Sequence, residues 1–134
     1  MRSVGKIIYS PASHIGDNSR WAILACDDGI SEYYRRLYDL EQPAYLNGNR
    51  ALKMIRPVWG SHISWLRGNE VGLKQWGIDA GKMIDFEYEP GVMDNGMYYW
   101  LRVKCPYLLG LREKMGLPAR PKYGLHLTIG VSAK

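Results

Sequence analysis

The sequence predicts an α+β domain made of two halves that follow one plan, and three observations point to it. The phrase RPVWGSHISW, from Arg56, returns as RPKYGLHLTI, from Arg120, with Arg, Pro, Gly and His at matching places. Each phrase is preceded by the same order of elements, two strand-like runs and then a helix-like run. No linker or change of composition separates the halves. The 134 residues therefore read as one domain with internal pseudo-symmetry, its repeats covering about 1–66 and 80–134.

In the first half, VGKIIYS and WAILAC are apolar runs rich in β-branched or aromatic residues. Turn residues Pro11, Gly16 and Asn18 lie on one side of the second run, and Asp27, Asp28 and Gly29 on the other, so both runs predict strands. SEYYRRLYDLE predicts a helix with Ser31 as its N-cap and Pro43 just past its end. QPAYLNGNRALKM then reads as a surface loop near the site. Between the halves, EVGLKQWGID allows a short helix. In the second half, MIDFEYE and MYYWLRVKC predict strands joined across PGVMDNG, whose Asp-Asn-Gly is hairpin chemistry. PYLLGLREKMG predicts a helix with Pro106 in its first turn and Gly116 as its stop.

Composition bounds the class. Apolar residues make up 46% and charged residues 23%, with both signs interspersed, which is the profile of a folded soluble protein. No apolar run reaches the length of a membrane span, and the apolar stretch in MRSVGKIIYSPAS is too short for a signal peptide. A cytoplasmic location (host cytoplasm if the chain is viral), no membrane association and a monomeric state are the expectations. Cys26 and Cys105 lie far apart and read as free thiols. The net charge of +5 favours an anionic ligand, though the basic residues form no tail.

If each phrase ends in a strand, period-two alternation puts His62 and Ser64 on one face, and His126 and Thr128 likewise. Ile63 and Trp65, with Leu125, Leu127 and Ile129, fall on the core face. Pseudo-symmetry then brings two polar ledges together across a cleft. Two facing imidazoles suit in-line displacement at phosphorus, one taking a proton from the nucleophile and the other giving one to the leaving oxygen. The hydroxyls can donate to the non-bridging oxygens as charge builds there. No metal or cofactor is needed. A lone His-x-Ser carries almost no information, since a strand histidine is usually structural. Here two of only three histidines have a hydroxyl at plus two, and Thr128 is the sole threonine.

These paired motifs, HIS at His62 and HLT at His126, resemble the signature of the two-histidine phosphoesterase superfamily. Its members include RNA 2′,3′-cyclic phosphodiesterases, 2′-5′ RNA ligase-like proteins and phage enzymes that cut cyclic oligonucleotide signals. The resemblance implies a bilobal α+β fold, two antiparallel sheets with flanking helices around a central cleft. It also implies His62 and His126 as acid and base, with Ser64 and Thr128 on the phosphate. The chain stops six residues after Thr128, so a C-terminal segment that closes over substrate in some relatives is not expected.

Arg56 and Arg120 share the parity of the histidines and are candidate phosphate ligands at the rim. Among Tyr9, Trp59, Tyr98, Tyr99 and Trp100, one or two are candidates to stack on a nucleobase. His14 reads as a surface residue. A zinc site from His62, His126, Cys26 and Cys105 lacks ligand spacing, and phosphate loops, serine elbows and dinucleotide fingerprints are absent from the sequence. The expected activity is a metal-independent phosphodiesterase on a nucleotide or oligonucleotide, whether a 2′,3′-cyclic phosphate, RNA or a cyclic oligonucleotide. The alternative is a non-catalytic protein that holds an RNA end or cyclic nucleotide in the same cleft.

Overall fold

The computed structural model of the chain describes residues 1–9, 21–41, 54–57, 60–67 and 76–132. Seven strands and two helices occur among them: β1 (Arg2–Tyr9), β2 (Trp21–Cys26), α1 (Asp28–Glu41), β3 (Met54–Ile55), β4 (His62–Arg67), β5 (Met83–Asp94), β6 (Tyr98–Lys104), α2 (Pro106–Lys114) and β7 (His126–Ser132). His14, Trp59, the loop up to Lys53 and the first six residues of EVGLKQWGID lie outside the described residues.

The expected bilobal α+β fold, two antiparallel sheets with flanking helices around a central cleft, is corrected. Six strands close into one antiparallel barrel in the order β1-β2-β4-β7-β6-β5, and β5 returns to β1. Two pairings close it. Strand β4 meets β7 with His62 opposite Thr128 and Ile63 opposite Leu127, while β1 meets β5 from Arg2 opposite Glu87 to Lys6 opposite Met83. Every ladder in the ring is then satisfied on both sides, which removes the open edges that two separate sheets would present. Short β3 adds to β7 past the end of β4, with Met54 opposite Ser132. Strands β1, β2 and β4 occupy one arc of the ring and β5, β6 and β7 the other.

Local chemistry explains most boundaries. Helix α1 starts three residues before Ser31, because Asp27 takes the cap: its Oδ1 accepts from the Gly29 N–H at 2.9 Å. Ser31 is instead buried, its hydroxyl hydrogen-bonded to that of Ser61. Helix α2 has Pro106 in its first turn and stops at Gly116, φ +82, as its sequence predicts. The expected loop PGVMDNG is mostly strand. Strand β5 runs through Pro90 to Asp94, and a bulge between Tyr88 and Val92 absorbs the proline, which has no N–H for a ladder. Only Asn95 and Gly96 turn, with Asn95 Oδ1 accepting from the Met97 and Tyr98 N–H groups at 3.0 and 2.8 Å. Residues 76–81 form turns rather than a helix.

The core face is the one that alternation predicts. Ile63, Trp65, Leu127 and Ile129 are all at most 1% exposed, with Leu24, Leu101 and Leu108 beside them. Burying each such side chain contributes about 1.5–3 kcal/mol, so the strands that carry the polar ledges are anchored from behind. No helix among the described residues is long and apolar enough to cross a membrane.

Candidate functional site

A cavity of about 1020 Å³ opens where β4 meets β7, and His62, Ser64, His126 and Thr128 all line it. The pairing of His62 with Thr128 puts the two motifs on adjacent strands of one sheet rather than on facing walls.

The two imidazoles are held alike. Gly60 and Gly124 have φ of +72 and +73, a left-handed conformation that favours glycine. In that conformation each glycine presents its carbonyl to the histidine two residues later. Nδ1 of His62 lies 2.9 Å from the Gly60 oxygen, and His126 bonds the backbone of Gly124. A carbonyl can only accept, so Nδ1 of His62 carries a proton and proton exchange there falls to Nε2, and the His126 ring nitrogen that meets Gly124 likewise carries one. Burial pushes the pKa of both imidazoles below the ordinary value, against the pull of the glycine carbonyls, and the nearness of His62 lowers that of His126 further. Protonating one ring therefore disfavours protonating the other.

The described lining contains no Asp or Glu, while Arg67, Lys122 and the buried Arg112 line it together with the two imidazoles. In such a cleft an anion meets cations and hydroxyls without a competing carboxylate. Among the described residues no three of His, Cys, Asp or Glu gather into a metal-binding group. Cys26 and Cys105 are free thiols, each donating to a backbone carbonyl, and burial pushes the pKa of both up.

Neither candidate arginine is among the residues lining the cavity. Arg56 is drawn off by Asp28, whose Oδ2 it meets at 2.8 Å while Oδ1 accepts from the Ser61 N–H at 2.8 Å. The Ser61 N–H, with Arg56, holds the Asp28 carboxyl below its usual range despite the cost of desolvation. Arg120 folds over its own loop: a Cβ on Gly124 would sit 3.3 Å from its guanidinium. Of the aromatic candidates, Tyr98 and Trp100 line the cavity, whereas Tyr9 packs edge-on against Trp65 and Tyr99 against Tyr38. Trp65 is core, as its parity predicts.

Trp21 was not legible as a site residue. Its ring lies 5.9 Å from that of His62 at 53°, and Trp100 lies 5.9 Å from His126 at 55°. A signal for the pair existed: Trp21 and Trp100 each precede a cysteine by five places, in WAILAC and WLRVKC, 79 positions apart. The lining cations Arg67, Arg112 and Lys122 had no comparable signal. Compared with protein-family models, curated proteins and solved structures, the chain matches none.

Proposed function

We propose that the chain is a metal-independent phosphodiesterase acting on a nucleotide-type phosphodiester. One observation carries the reading: two imidazoles, each with a ring nitrogen bound to a glycine backbone and a hydroxyl at plus two, share one cavity whose described lining has no carboxylate. Nε2 of the neutral histidine takes a proton from the nucleophile. The nucleophile is water for a 2′,3′-cyclic phosphate, or the ribose 2′-OH for an RNA strand. As its oxygen bonds to phosphorus and the leaving P–O bond breaks, the protonated histidine gives its proton to the departing oxygen. Ser64 and Thr128 donate to the non-bridging oxygens, where negative charge grows. The motifs that resemble the two-histidine phosphoesterases support the same chemistry through these four residues alone. A monomer in the cytoplasm completes the proposal.

The test is a panel of 2′,3′-cyclic nucleotides, short RNAs and cyclic oligonucleotides incubated with a strong chelator. Turnover of one class, abolished by His62→Ala and His126→Ala, is the expected result. Activity lost under chelator and restored by one divalent metal would overturn the mechanism. Tight binding of every class without turnover would leave a binding protein.

A further inference from the structure

We infer that Arg35 and Arg112 are positioning residues that set the two histidines by clamping a β-bulge in each histidine strand. On β7, Tyr99 pairs with Gly130 and Trp100 with Thr128, so Ile129 is an extra residue with no opposite on β6. On β4, Ala22 pairs with Leu66 and Ile23 with Ser64, so Trp65 is extra in the same way. Each bulge falls three residues past its histidine. Neither Ile129 nor Trp65 has a partner in any ladder of the described residues.

An extra residue in a strand leaves a carbonyl that the ladder does not use, and a buried carbonyl needs a donor. Both receive an arginine. Arg35, on α1, donates through Nη1 to the Ile129 oxygen at 2.6 Å. Arg112, on α2, donates through Nη1 to the Trp65 oxygen at 3.0 Å, and through Nε to the Pro118 oxygen at 3.0 Å. Burial, with the nearby charge of Arg56, holds the pKa of Arg35 below the ordinary arginine value. The clamps cross over: the helix of each half holds the strand of the other. A bulge that slipped by one residue would turn the residues on one side of it to the opposite face. For β7 those residues are His126 and Thr128; for β4 they are His62 and Ser64. Holding the bulge therefore holds the imidazole in the cleft.

The inference rests on the phosphodiesterase reading for its kinetic consequence but not for its geometric one, and the experiment separates them. Arg35→Met, Arg35→Lys and Arg112→Met are compared with the unaltered chain in steady-state turnover and in histidine titration by NMR. Arg35→Met is expected to lower kcat by about tenfold or more with KM within about twofold, the mark of misplaced rather than missing groups. It should also move the titration of His126 while sparing that of His62. Arg112→Met should do the reverse, and Arg35→Lys should restore part of the loss. Well-folded variants with unchanged titrations would overturn the clamp, as would loss of Tm with both histidines disturbed equally. If Arg112→Met does not fold, the Arg35 pair decides. If no phosphodiester is turned over by the unaltered chain, the functional reading fails alone, and the crossed titration shifts still decide the clamp.

Discussion

In the first half of the chain, the loop before His62 is tied to α1 through a carboxylate; in the second, the loop before His126 is tied to α2 through a guanidinium, Arg112 donating to the Pro118 oxygen at 3.0 Å. Asp28, at the start of α1, holds the Ser61 N–H and Arg56, and Ser61 is bonded to Ser31 on the same helix. The later loop has Arg120 over Gly124 and carries exposed Lys122 and Tyr123 on the lip of the cleft. The features that aim the imidazole are the same in both: glycine φ of +72 and +73, a carbonyl on the histidine, and a tryptophan ring at 5.9 Å. Proton transfer is sensitive to the direction of Nε2 and indifferent to how the loop behind it is secured. The comparison therefore separates an aiming device that both halves share from bracings that differ between them.

The largest expected effect tests the shared part. His62→Ala and His126→Ala should each cut turnover by at least about a hundredfold, the scale of losing a general acid or base, with the fold retained by circular dichroism. Near-full activity in either folded variant removes that histidine from the mechanism. Ser64→Ala and Thr128→Ala should cost less, because they weaken charge stabilisation without touching proton transfer. A loss equal to that of the histidine variants would assign the hydroxyls a larger part.

The bracing is tested by stability instead. Asp28→Ala removes a charge-assisted bond to a backbone N–H and should lower unfolding free energy by about 1–2 kcal/mol. Arg120→Ala, on the loop that α2 holds through Pro118, should change it by less than about 0.5 kcal/mol. Equal effects in denaturant titration would erase the distinction between the loops.

Two pH effects follow from burial. Sequence alone centres the rate profile between about pH 6 and 7.5, from the unperturbed imidazole value and a neighbouring phosphate that favours the charged form. Both imidazoles are instead shifted below 6.5, so the bell in kcat/KM, which reports the free enzyme, should peak on the acid side of 6.5. A peak above 7 would contradict the shifts. The smaller effect is on stability. The unfolded chain binds protons on these histidines more tightly than the folded one, so their contribution is complete above pH 6.5 and is lost as pH falls through the folded values. Replacing His62 by Gln should flatten that part of the stability profile; an unchanged slope assigns it to other groups.

Much of the site was legible because it depends on alternation and repetition, which are local. Period two places His62 and Ser64 opposite Ile63 and Trp65 whatever the strand pairs with, and the matched phrases mark the second set. Arg56 shows where that reasoning ends. Its parity is that of the histidine, yet Asp28, 28 residues away, captures it. The N-cap of α1 failed for a smaller reason of the same kind: Ser31 and Asp27 are both good caps, and the burial of Ser31 against Ser61 decided between them.

By itself the sequence determined most of the longer strands, their polar and apolar faces and the four residues on the ledges. Tertiary structure decided that the strands close into a single barrel, that the motifs lie side by side, and that helix arginines hold the bulges. The reason is that a side chain's face follows from its neighbours in the chain. Closure follows from backbone pairings such as His62 with Thr128, whose partners lie 66 positions apart and carry no mark of one another in a local pattern.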